Sequence, residues 1–143
     1  MTSDELNLQV ATKVLGWIPW LKVVGSTTLY YVIAWQKPGE QEPWMGSRDW
    51  KVLKERYTPF DINDYDPAIH TLSGGFPDFQ GDISDAWQVI KSLHDKEWFV
   101  SIHIADTVFV DLSKTGETFE VDEQEAPIAI CLAALKAVGG EDV

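Results

Sequence analysis

The chain has 143 residues, of which 45% are hydrophobic, and a formal net charge of −12. That is enough chain for one compact domain with its own core. The charge repels bare phosphate backbones and so excludes ordinary DNA or RNA binding. Cys131 is the single cysteine, which excludes an intrachain disulfide, and no Cys/His pair has zinc-ligand spacing, so neither a metal nor a cofactor is expected. A reducing, cytoplasmic compartment follows. The start "MTSDELNLQV" lacks a basic segment leading into an apolar one. The longest apolar run, "APIAICLAALKAV", is too short to cross a bilayer, so no membrane partner is expected.

Thr2 to Leu15 is predicted as a helix. Thr2 and Glu5 have capping-box spacing, Leu6, Val10, Val14 and Trp17 fall near one face, and Gly16 stands where a terminating glycine belongs. Pro19 stops any continuation. Leu21 to Gln36 reads as a hairpin turning at Gly25-Ser26. Its second strand is apolar on both faces and is therefore expected to be covered on both sides. "KPGEQEPWMG" is a turn-rich connection, after which Ser47 can cap a short helix through about Tyr57. Thr58 to Gly81 shows no period, and a long irregular segment inside a domain is a usual place for function.

Asp82 is the expected N-cap of a second helix, with Asp85 in its first turn and Ile83, Ala86, Trp87, Ile90 and Leu93 at helical spacing. Trp98 to Leu112 alternates as a second hairpin with a turn near Asp106. "ETFEV" adds a strand, and Pro127 opens a last helix that Gly139-Gly140 ends. The expected class is α+β: one domain over residues 1–143, a layered α/β/α sandwich with a mostly antiparallel sheet of hairpins flanked by helices. An irregular aromatic and acidic insert interrupts it at about 37–81.

Three pieces, "VATKVLGW", "DFQGDISDAWQVIKSL" and "EAPIAICLAALKAV", occur in an order that resembles the phage ABA-sandwich domain family. The matching positions are Gly16 and Trp17, Asp82 and Trp87, and Ala126, Pro127, Ile130 and Cys131; residues 37–76 have no counterpart. The resemblance implies a layered fold and a phage or prophage origin, hence the host cell cytoplasm. It implies no catalytic residues.

Candidate chemistry competes with simpler roles. Cys131 lies in "IAICLAAL" without a basic neighbour to activate it, so a buried small hydrophobe is the better reading. Ser101, His103 and Asp111 can share one hairpin face as a nucleophile, base and acid, but alternation alone does not bring them into bonding reach. His94, late in its helix, suits the negative end of the dipole. "DINDYD" fails as a calcium loop because its sixth and twelfth positions are Asp66 and Leu72. Ser73, Gly74 and Gly75 lack the strand, helix and lysine of a phosphate cradle.

The aromatic residues of the middle third, Trp44, Trp50, Tyr57, Phe60, Tyr65, Phe76 and Phe79, stand among carboxylates. They either fasten the insert to the core or form a binding surface. The partner-binding set is taken as Trp44, Trp50, Tyr57, Asp61, Asp64, Tyr65 and Asp66, with no catalytic residue. The expected function is non-catalytic: inhibition of a host protein with a basic surface, such as a CRISPR effector in host defence. The alternatives are a nucleotide sponge using Arg48, Lys51, Lys54 and Arg56, a small enzyme using His103, and a virion or assembly component. A homo-oligomer is left open.

Overall fold

The computed structural model describes residues 2–24, 30–43, 57–73 and 76–139. Helix α1 (Ser3–Gln9) continues into a single π-helical turn, Val10–Val14. The Thr2 hydroxyl accepts the Glu5 amide at 3.2 Å, which caps the helix as its sequence predicts. The wider last turn has a local cause. Thr12 Oγ1 donates to the Leu8 carbonyl at 2.8 Å and the Leu15 amide reaches back to Val10. A threonine bonding backwards in this way loosens the regular ladder. Gly16 then takes φ +73, a conformation that disfavours a side chain.

Strand β1 (Ile18–Val24) pairs antiparallel with β2 (Tyr30–Gln36), from Ile18 opposite Gln36 to Val24 opposite Tyr30. The expected hairpin is present, and its Gly25-Ser26 turn lies outside the described residues. Ile33 and Trp35 are buried on one face of β2 and Ala34 on the other, so this strand is covered on both sides. Two three-residue strands flank the pair: β3 (Tyr57–Pro59) lies antiparallel to β1, and β4 (His70–Leu72) parallel to β2. The first sheet thus runs β3-β1-β2-β4.

Two expectations are corrected here. Tyr57 begins a strand rather than ending a helix, and the rest of that predicted helix, 47–56, lies outside the described residues. The stretch 58–81 is not structureless, since it holds β4, most of β3 and a 3-10 turn at Ile62–Asp64. Strands of three residues are too short to leave an alternation in the sequence.

Helix α2 (Ile83–Asp95) starts as predicted, with Asp82 Oδ1 accepting the Ser84 amide at 2.8 Å. Its buried stripe is Ala86, Val89 and Leu93, while Ile83 and Trp87 are 55% and 62% exposed. The apolar face is therefore rotated from the predicted one. Small Ala86 packs inward and large Trp87 points out. The helix ends with Glu97 at φ +69, and the amides of Glu97 and Trp98 bond back to His94 and Leu93. This is a Schellman-type stop with glutamate in the usual glycine position.

The second sheet is an antiparallel meander, β5 (Phe99–Ile104), β6 (Val108–Lys114) and β7 (Glu117–Glu123). Helix α3 (Ala126–Ala137) lies against β6 and β7 and also meets α2 and the π turn. Its Ala129, Ala133 and Ala134 are fully buried, and side chains that small let the helix axis approach the sheet closely. Val108, Val110 and Leu112 of β6 face α3 in one core that also includes Trp17, Trp35 and Phe79. The fold is α+β, with helical and sheet layers packed as a sandwich and most strand pairs antiparallel.

Candidate functional site

The loop "FPDFQGD" that precedes α2 is fastened into the core. Phe79 is fully buried, with its ring 5.8 Å from Trp17, and Phe76 meets Trp35 edge-on at 5.2 Å. Trp17 stacks on Trp35 at 5.7 Å, completing a four-ring cluster. Buried Asn7 holds the loop backbone by accepting the Phe79 amide at 3.0 Å and donating to Asp78 Oδ1 at 3.4 Å. The Asp78 carboxylate also receives the Gly81 amide at 3.0 Å, and a side chain at Gly81 would run into it. Phe76 and Phe79 therefore anchor the chain. Ser73 donates its amide to Ile33 across the sheet at 3.0 Å, and Gly74 and Gly75 lie outside the described residues.

The acidic loop after β3 has a different character. Asp61 Oδ1 accepts the Asn63 amide and Asp66 Oδ1 the Ala68 amide, each at 2.9 Å, so the aspartates shape their own turns. Asp61, Asp64 and Asp66 remain exposed. Buried His70 braces the loop from behind: its Nδ1 accepts the Asp66 amide at 2.9 Å, and its ring lies 5.0 Å from Phe60 and 6.0 Å from Tyr65.

Tyr65 sits at the rim, with its hydroxyl 3.5 Å from Asp4 Oδ2. Its phenol is pushed above the ordinary value, first by burial and then by the charges of Asp4, Glu5 and Asp66. The start of α1 and the acidic loop thus form one negative surface around a half-buried tyrosine. Asp4 and Glu5 are members that the sequence did not reveal, because they lie about sixty residues away, where Glu5 is explained by helix capping.

The other expected partner-binding residues divide. Tyr57 is 8% exposed, with Lys22 Nζ 5.6 Å above its ring, so it anchors β3 instead of joining the rim. Trp44 and Trp50 lie outside the described residues, as do Arg48, Lys51, Lys54 and Arg56. On the outer face of the second sheet His103 Nε2 lies 3.6 Å from Asp111 Oδ2, and Ser101 is paired opposite Asp111. The three share a face, but among the described residues no hydrogen bond joins Ser101 to His103. The imidazole is 65% exposed. Cys131 is fully buried, its thiol pushed up to about 12 by burial and then by Asp78. Among the described residues no group of three or more metal-ligating side chains gathers, and no helix is long and apolar enough to cross a membrane.

An open groove of about 550 Å³ runs between α2 and the turn after β2, lined by Trp17, Lys37, Lys91 and Asp95, with Lys37 Nζ 5.2 Å above the Trp17 ring.

Comparison with solved structures finds a crystal structure of a phage protein from Bacillus cereus ATCC 14579. It is 20% identical, with a TM-score of 0.53, over 100% of this chain and 90% of that one, a likeness of fold. Curated protein sequences give no match. The family description "Phage ABA sandwich domain" matches residues 8–135, a range that includes the insert. With the π turn, the capped Trp-bearing helix and most of the Ala-Pro helix inside that range, the chain belongs to the phage ABA sandwich domain family.

Proposed function

We propose that this is a phage- or prophage-encoded, non-catalytic protein that binds a basic surface on a host protein and inhibits it by occlusion. The proposed target is a defence complex that handles nucleic acid, of the CRISPR effector kind. The observation that carries the reading is the negative rim around Tyr65, where Asp4, Glu5 and Asp66 converge and Asp61 and Asp64 stand exposed beside them. A surface of this kind accelerates encounter with a cationic partner and competes for sites that otherwise meet phosphate. The net charge of −12 acts in the same direction over longer range.

The test is to replace Asp61, Asp64 and Asp66 together by asparagine, which keeps size and hydrogen-bonding capacity. Binding of the host partner, followed on a sensor surface, is expected to dissociate faster and to lose most of its salt dependence. An unchanged off-rate and salt slope would place the contact elsewhere.

A second reading, sequestration of a small anionic nucleotide, is favoured by the groove with Lys37 and Lys91 beside Trp17. It requires that Lys37→Ala and Lys91→Ala lower affinity for such a ligand while leaving protein capture intact.

A further inference from the structure

Among the described strands β5 is an edge, paired with β6 alone, and the parity of its hydrogen bonds follows from two observations. The Ala105 amide donates to the Thr107 carbonyl at 3.0 Å, and β6 and β7 meet through a two-residue turn between Lys114 and Glu117. Bonded and non-bonded pairs alternate along an antiparallel ladder. Phe99, Ser101 and His103 therefore spend their backbone groups on β6, and Val100, Ile102 and Ile104 present theirs to the open side.

The other edges among the described strands are guarded. β3 and β4 are three residues long, and β3 ends in Pro59. β7 carries Glu117, Glu120, Asp122 and Glu123. Short strands, proline and charge are the standard means of preventing edge pairing. β5, "FVSIHI", has no carboxylate in a chain of net charge −12, and it exposes Phe99 at 76%, Ile102 at 37% and Ile104 at 77%.

We propose that β5 is the pairing edge of a homodimer, joining two three-stranded sheets antiparallel into one of six strands. The occupant is a second copy because the strand is complementary to itself. A two-fold axis at Ile102 sets Val100 opposite the partner's Ile104 and Ile102 opposite the partner's Ile102. Every outward backbone group then finds a mate, and the Val100, Ile102 and Ile104 side chains of both copies form one strip on one face, with Phe99 on the other. Of the two described edges longer than three residues, β5 and β7, it is also the one on which two strongly acidic chains meet without opposing carboxylates. This association is independent of the acidic rim and has the opposite salt response: added salt screens the repulsion between copies and strengthens it.

The test combines sedimentation velocity over a wide concentration range with hydrogen exchange on the wild-type protein. The mass is expected to rise from 16.1 kDa towards twice that value, more readily at high salt. Amides of Val100, Ile102 and Ile104 should gain at least tenfold protection as the dimer forms, while those of Ser101 and His103 stay as they were. Ile104→Lys, at an exposed position, should return the protein to monomer with an unchanged circular dichroism spectrum. A wild type that stays monomeric throughout overturns the proposal and leaves the edge to a strand from another protein. A dimer whose three amides exchange as in the monomer overturns it too, and moves the contact to a different patch such as Ile83 and Trp87.

Discussion

Asn7 shows how a single polar side chain decides the path of a loop seventy residues away. Its amide is buried, and both ends are used, on the Phe79 amide and the Asp78 carboxylate. Asn7→Ala leaves the buried Phe79 amide without a partner, so the unfolding free energy in urea should fall by about 1–3 kcal/mol. No measurable change would mean that the Phe79 ring alone holds the loop. Cys131 gives a second check. Its folded pKa, about 12, lies above the value of about 8.5 for a free thiol. Below the unfolded value both states keep the proton and the full stability is present. As pH rises beyond it, the unfolded chain ionises and the folded one does not, so stability declines towards pH 12. Wild type should therefore lose more stability than Cys131→Ala across that alkaline range. At neutral pH iodoacetamide should label the thiol only after denaturant is added; labelling of the native protein would contradict the burial.

The hairpins, the capped starts of α1 and α2 and the Pro127-led α3 were legible because each carries a local signal, either a cap, a turn or a period. The rotation of α2 was not. The expected face held Ile83, Ala86, Trp87, Ile90 and Leu93; Ala86 and Leu93 are buried, Val89 joins them, and the large Ile83 and Trp87 turn outward. Ala86 is fully buried on the helix that packs against α3, and the indole of Trp87 is left on the solvent side. The aromatic residues of the loop were read as equally suited to binding or anchoring, and Phe79 belongs to the anchoring kind. Phe79→Ala should destabilise by about 3–5 kcal/mol, whereas Trp87→Ala should stay within about 0.5 kcal/mol. Thermal and urea unfolding of the two variants measure the contrast. Equal losses would put Trp87 in the core and reverse the assignment.

For the whole molecule, the strong acidity was plain from composition, but where it concentrates was not. Glu5 reads as a helix-capping residue and Asp61 to Asp66 as a solvated loop; only the fold brings Asp4, Glu5 and Asp66 together around Tyr65. The same charge separates the two modes of association proposed for this chain. Binding to a cationic host surface weakens as salt rises, and pairing through the neutral β5 edge strengthens. The central claim is that the negative rim recruits a host protein. It is tested most directly by native mass spectrometry of the tagged protein recovered from its host's lysate, with the wild type run beside the variant in which Asp61, Asp64 and Asp66 are asparagine. The account predicts a discrete protein partner on the wild type that is lost from the variant. The same partner on both, a nucleotide-sized mass in place of a protein, or no added mass at all would contradict it.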